Sequence, residues 1–137
     1  MRNELDLKLV EKYPKIFVNR YGDPKETLMC WGFEVGDGWY NMIDLLCWMI
    51  QNHCDNNTNV PQVVAVQVKE KFGGLRFYVD GGDATTDNWI RFAENLSNRM
   101  CEVCGAPGRM RGKGWYFTAC VDHARGQLFD DEKVDVL

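Results

Sequence analysis

The residues with the clearest chemistry lie in the last third of the chain. There Cys101-x2-Cys104 and Cys120-x2-His123 are separated by fifteen residues. Two-residue spacing lets both side chains of a pair reach one ion, and two such pairs complete the tetrahedron that Zn²⁺ prefers. Gly105 follows the first pair, where a tight turn favours a residue without a Cβ atom. The pattern therefore predicts one structural zinc ion bound by Cys101, Cys104, Cys120 and His123.

The alternative is a set of ordinary buried cysteines beside a surface histidine, although chance rarely produces this ligand set. A site with four protein ligands leaves no position for an activated water, which favours a structural over a catalytic ion. Zinc nucleobase deaminases need a His-x-Glu segment, which this sequence lacks. Metal-dependent treble-clef nucleases need further histidines, and only His53 remains. We therefore expect a protein that is not an enzyme.

The residues between the two ligand pairs can form a hairpin from segments 109–111 and 115–118. A helix is predicted to begin at the second pair and to include Ala124, Leu128 and Phe129. Knuckle, hairpin and ligand-bearing helix together resemble the treble-clef zinc fold. We expect this module to pack against the preceding helix, since no flexible segment separates Met100 from Cys101.

A second candidate site is a basic face on a predicted hairpin. Segments 63–71 and 75–80 alternate apolar and polar residues around Gly73-Gly74, a pair suited to positive φ. This register places Lys71 opposite Arg76, on one face with Gln67, Lys69 and Tyr78. The other face collects apolar residues, namely Val64, Val66, Val68, Phe72, Leu75, Phe77 and Val79.

The basic face has two interpretations. Like charges directly opposite each other destabilise a sheet, and a bound phosphate would reverse that cost. A nucleotide or single-stranded nucleic acid could then stack on Tyr78, and the surface could extend to Arg111, Lys113 and Trp115. The alternative is a solvated face whose lysines deter pairing at the sheet edge.

Helical periodicity and turn residues predict the elements that must position these sites. A short helix with Leu5 and Leu9 ends before Pro14, and a strand covers 29–35. Asp37 could cap a helix whose apolar stripe runs from Trp39 to His53. Thr85 or Thr86 could cap another helix that ends near Met100 with a stripe of Trp89, Phe92, Ala93 and Leu96.

These elements define an α+β fold in which a small, largely antiparallel sheet packs with two or three helices. Residues 1–100 form the predicted core domain, and residues 101–137 form the zinc module with an acidic tail that includes Asp130, Asp131, Glu132 and Asp135. The roles of Glu70, His53 and Cys54 stay open. A deep pocket around Glu70 or His53 with a perturbed pKa would favour an enzyme instead.

Net charge and the distribution of apolar residues narrow the possible functions and the compartment of the protein. A net charge of −4 argues against binding duplex nucleic acid as the main task, although residues 99–125 carry a local net of +3. The N-terminus has no secretory signal pattern, and the longest apolar stretch, 42–50, is too short for a bilayer span. These features predict a cytoplasmic protein without a membrane partner.

Three segments resemble a family of small proteins from bacteriophage and prophage genomes. They are EVGDGWYNMIDLLC (34–47), VQVKEKFGGLRFYVDGG (66–82) and CEVCGAPGRMRGKGWYFTACVDH (101–123), and the resemblance covers about residues 30–125. It implies the same four zinc ligands and an accessory role in an infected cell. The leading prediction is a non-catalytic binding protein that contacts a host protein, and the alternative is a binder of nucleotide or single-stranded nucleic acid.

Overall fold

The computed structural model describes residues 1–133, which confirm the predicted α+β class. Three α-helices, a three-stranded sheet and a two-stranded sheet are present in this part of the chain. In chain order the elements are α1 (Asn3–Lys12), β1 (Phe33–Glu34), α2 (Tyr40–Asn56), β2 (Val64–Lys71), β3 (Gly74–Asp80), α3 (Ala84–Ser97), β4 (Arg109–Arg111) and β5 (Phe117–Ala119). Asp135, which the sequence analysis assigned to the acidic tail, lies outside the described residues.

The larger sheet has the order β1-β2-β3, with β1 parallel and β3 antiparallel to β2. The predicted strand over 29–35 is wrong for its first half, where Met29–Trp31 forms a 3₁₀ turn. Gly32 then adopts a φ of 75°, and a Cβ atom there would lie 2.7 Å from the Asp6 carboxylate. Because the Asp6 carboxylate comes so close, only glycine fits at position 32, where the 3₁₀ turn ends. The strand that follows, β1, is therefore only two residues long.

The hairpin between β2 and β3 turns one residue earlier than predicted. Its loop is Phe72-Gly73, with φ values of 53° and 83°, and Gly74 pairs with Lys71. Lys69, rather than Lys71, is therefore opposite Arg76, and Gln67 is opposite Tyr78. Because the pairing shifts by two residues, the predicted basic side chains still share one face.

The apolar face of this hairpin is confirmed near the turn and differs at the far end. Val68, Leu75 and Phe77 are buried, whereas Phe72 lies in the loop and is 61% exposed. A bulge between Ala65 and Gln67 changes the alternation, so Ala65 is buried instead of its two valine neighbours.

The helices differ from prediction mainly at their first turns. Asp37 does not cap α2, because its carboxylate accepts a hydrogen bond from the Arg2 backbone N–H at 2.8 Å and residues 37–39 form a 3₁₀ turn. Asp83, one turn before the predicted threonines, caps α3 by accepting from the Thr86 N–H at 3.0 Å. The helix ends at Ser97, three residues before Met100.

The apolar side of α3 is rotated relative to the predicted stripe. Ile90 and Ala93 are buried against the sheet, whereas Phe92 is 68% exposed. Polar residues of this helix also protect the free edge of β3. Ser97 Oγ accepts from the Leu75 N–H at 2.8 Å, and the Glu94 carboxylate accepts from the Phe77 N–H at 3.0 Å. These bonds occupy backbone donors that an unpaired edge would leave exposed.

Candidate metal centre

The four predicted ligands converge, with one donor atom of each residue within 4.8 Å of all the others. Cys104 Sγ and Cys120 Sγ are 3.7 Å apart, as are Cys101 Sγ and His123 Nδ1. A tetrahedron with metal–sulfur bonds of about 2.3 Å has edges of about 3.8 Å. All six cysteines of the chain are free, so no disulfide competes with metal binding at this cluster.

Backbone geometry around the first ligand pair prepares the thiols for a cation. Gly105 adopts a φ of 81°, and its N–H donates to the Cys101 carbonyl at 2.8 Å. Burial of Cys101 opposes ionisation of its thiol, but the backbone N–H groups of Cys120, Cys104 and Val103 outweigh burial and lower its pKa to about 6. Donors of this kind stabilise a thiolate, the form of cysteine that would bind a metal ion.

The first ligand pair packs against the residues that precede α2. The Gly38 N–H donates to the Glu102 carbonyl, and Trp39 Nε1–H donates to the Met100 carbonyl, both at 2.8 Å. A Cβ atom on Gly38 would collide with the Cys101 carbonyl and lie 2.6 Å from Gly105 N. The residues of the first ligand pair thus contact the segment that leads into α2.

The second ligand pair follows the β4–β5 hairpin, which packs on the tip of the β2–β3 hairpin. Thr118, on β5, is fully buried and donates its hydroxyl proton to the Gly73 carbonyl at 2.6 Å. The predicted α-helix after Cys120 is instead a 3₁₀ turn, Val121–His123. Positive φ values at Arg125 and Gly126 reverse the chain there, so the helix cannot continue.

Arg111, a predicted anion-binding residue, binds the carboxylate of Glu132 in the same chain. Its guanidinium is buried, and its Nη2 donates to the Glu132 carboxylate at 2.7 Å. The hydrogen bonds from Arg111 lower the pKa of Glu132 to about 2. Arg109 bonds Asp131 at 3.0 Å and stacks on Phe129 at 3.8 Å. Asp131 and Glu132 therefore bind β4 and neutralise part of the basic charge of the module.

The other candidate ligand-binding residues lie on accessible surface. Lys71 and Tyr78 are exposed on the hairpin, while Lys69 and Arg76 are half-buried neighbours. Lys69 also lies beside Glu34 of β1, which supplies an opposite charge. Lys113 is exposed at the β4–β5 turn, and Trp115 there is 77% exposed.

His53 and Glu70 have structural surroundings that the sequence did not indicate. His53 Nε2 lies 2.9 Å from the Asp83 carboxylate, which also caps α3, and the ring packs edge-on against Trp89. Glu70 lies close enough to Glu102 to raise the pKa of that carboxyl, after the larger effect of burial. Cys54 is half-buried at the end of α2.

Sequence reasoning missed the residues that join the metal module to the rest of the fold. Gly38, Thr118 and Glu132 have no motif of their own, since their roles depend on long-range contacts. The sequence indicates only that Asp37 could cap a helix that includes Trp39. In the structure Trp39 is also fully buried, and its indole N–H donates to the Met100 carbonyl, so this residue links the metal module to the core.

No protein-family model, curated protein or solved structure matches this chain. Among residues 1–133, every helix is too short or too polar to cross a bilayer.

Proposed function

We propose that this chain is a non-catalytic zinc-containing binding protein that contacts another protein. Three thiolates and an imidazole form a donor set that suits zinc, and the 3.7 Å separations fit its tetrahedral bond lengths. With four protein donors the ion would serve to hold the module together. The resemblance of residues 30–125 to phage and prophage proteins supports an accessory role toward a host protein.

The observation that carries the proposal is the bond between Thr118 and Gly73, which seats the metal module on the hairpin tip. Around this contact the chain exposes aromatic side chains, with Phe72 at 61%, Tyr116 at 45% and Trp115 at 77%. Exposed lysines accompany them at positions 71 and 113. Large aromatic side chains contribute much of the energy of protein–protein interfaces. We name this set of five residues the hairpin–finger surface.

The test compares capture of host proteins by wild type and by a Phe72→Ala, Trp115→Ala, Tyr116→Ala variant, with quantitative mass spectrometry. A control variant carries Val18→Ala, Tyr21→Ala and Leu28→Ala, which are also exposed. The proposal expects one host protein to be retained by wild type and control at least about 30-fold better than by the surface variant. Equal retention by all three proteins would refute it.

A second candidate function is binding of a nucleotide or single-stranded nucleic acid. The observation that favours it is the direct opposition of Lys69 and Arg76, with Lys71 and Tyr78 on the same face. Fluorescence anisotropy with a labelled single-stranded oligonucleotide, and with a labelled nucleotide, would measure this binding across salt concentrations. Affinity that falls with salt and is lost in a Lys69→Ala, Lys71→Ala, Arg76→Ala variant supports it.

The matched control for this second test removes three lysines elsewhere, Lys8, Lys15 and Lys25, so that net charge changes equally. Equal loss in both triple variants would indicate non-specific attraction. Unchanged binding in the hairpin variant, or no binding by wild type, would eliminate this candidate.

A further inference from the structure

The outer side of the α2–α3 pair exposes apolar side chains that are not part of the hairpin–finger surface. Leu45 is 59%, Trp48 58% and Phe92 68% exposed. Between the helices lies a depression of about 330 Å³, lined by apolar side chains that include Met42, Met49, Trp89, Leu96 and Met100. Monomeric proteins rarely leave a contiguous apolar area of this kind in water unless it binds something.

The charged side chains of the two helices point away from this face. On α2, Asp44 bonds Lys12 at 2.8 Å and Asp55 lies 3.8 Å from Lys15, so both face the end of α1 and the residues that follow it. On α3, Arg91 and Glu94 line a different depression beside Tyr78.

Helical spacing instead surrounds the apolar residues with exposed asparagines, at positions 41, 52, 88 and 95. Arg99 contributes a charge at one end of the face. The core of a protein–protein interface is likewise depleted of charged residues and enriched in aromatic ones, such as the exposed Trp48 and Phe92 here.

We infer that this α2–α3 face binds a second copy of the same chain. A two-fold interface brings each surface against itself, so a strongly charged face on this acidic protein would repel its copy. The asparagine border avoids that repulsion, and each side-chain amide can both donate to and accept from its counterpart. The same face carries the protruding Phe92 ring and the depression between the helices, so the Phe92 ring of each copy can enter the depression of the other.

The size of the face fits a small dimer. With 17 residues in α2 and 14 in α3, the helices are about 25 and 21 Å long. Two adjacent helices of this length present about 500 Å² to a partner, and a symmetric pair would bury about 1,000 Å² in total, which reaches the lower limit for specific interfaces. The helices are antiparallel, since His53 near the end of α2 contacts Trp89 near the start of α3. Two copies packed face to face would therefore bring four helices together.

Sedimentation equilibrium of the zinc-loaded 137-residue chain from about 1 to 100 µM tests the inference. Wild type should reach twice the 15.8 kDa mass of the chain. A Leu45→Lys, Phe92→Lys variant and a Leu45→Glu, Phe92→Glu variant should each stay monomeric at the same concentrations. An equimolar mixture of the two should dimerise, because opposite charges then face each other.

A Val18→Glu, Tyr21→Glu variant serves as the control, since both side chains are exposed and lie on neither proposed surface, and it should dimerise like wild type. Near-ultraviolet circular dichroism checks that each variant is folded. Monomeric wild type over the whole range would overturn the inference, even if it bound a foreign amphipathic helix. Dimerisation that persists in both like-charged variants would also overturn it.

Discussion

Gly38→Ala is the substitution that most directly tests how the metal module is attached to the core. The added Cβ atom would lie 2.6 Å from Gly105 N and 2.7 Å from Cys104 N, and still closer to the Cys101 carbonyl. These are backbone atoms of the metal-binding knuckle, so they cannot rotate aside. Overpacking of this kind costs about 1–3 kcal/mol, and three backbone contacts place Gly38→Ala near about 3 kcal/mol.

For a domain of 137 residues, this cost corresponds to a fall in Tm of about 10 °C. Because metal binding and folding of the module are coupled, the same cost should appear as a metal affinity about 100-fold weaker. Thermal unfolding followed by circular dichroism, and competition with a chromophoric chelator, measure the two effects.

Gly114→Ala is the control for this substitution, because its Cβ atom meets nothing within 4 Å. Its positive φ should cost only about 1–2 kcal/mol. If Gly38→Ala were as stable as wild type and bound metal equally well, the knuckle could not rest on the start of α2, and the reasoning would be refuted.

Three further substitutions test individual contacts. Thr118→Val should lower the free energy of unfolding by about 1–3 kcal/mol in urea titrations, since it leaves the Gly73 carbonyl without its buried donor; no change would contradict the proposed seating of the module. Ser97→Ala should cost a similar amount because the Leu75 N–H loses its acceptor, and a neutral result would show that water reaches that strand edge. Glu132→Gln should be less stable than wild type at pH 7. Its deficit should shrink as pH falls from about 4.3, the ordinary pKa of glutamate, to about 2, because the Arg111 pair stabilises the fold only while Glu132 is ionised; a pH-independent difference would contradict this.

The clustering of the three cysteines with His123, and the α+β class, could be predicted because their signals are local. Two residues between the ligands of each pair, and a helical or alternating period, are properties of short segments. Even the shift in hairpin register left the basic face intact, since moving Lys69 opposite Arg76 changes the pairing by an even number of residues.

The remaining features depend on contacts between distant segments. The loop of the β2–β3 hairpin is Phe72-Gly73 rather than Gly73-Gly74, and the Gly73 carbonyl accepts a hydrogen bond from Thr118, 45 residues away. The helix expected after Cys120 is absent from the described residues, since the chain turns back at Arg125 and the tail is fastened to β4 by the Arg111–Glu132 pair. Such pairings carry no motif, so only the folded chain reveals them.

The metal content of the purified protein tests the central claim most directly. Elemental analysis of protein expressed without added chelator should find one zinc ion per chain in wild type. Cys104→Ser, which removes the most exposed ligand of the cluster, should bind zinc far more weakly, while Cys30→Ser, outside the cluster, should retain it. Wild-type protein that is folded and contains no stoichiometric metal would contradict the account.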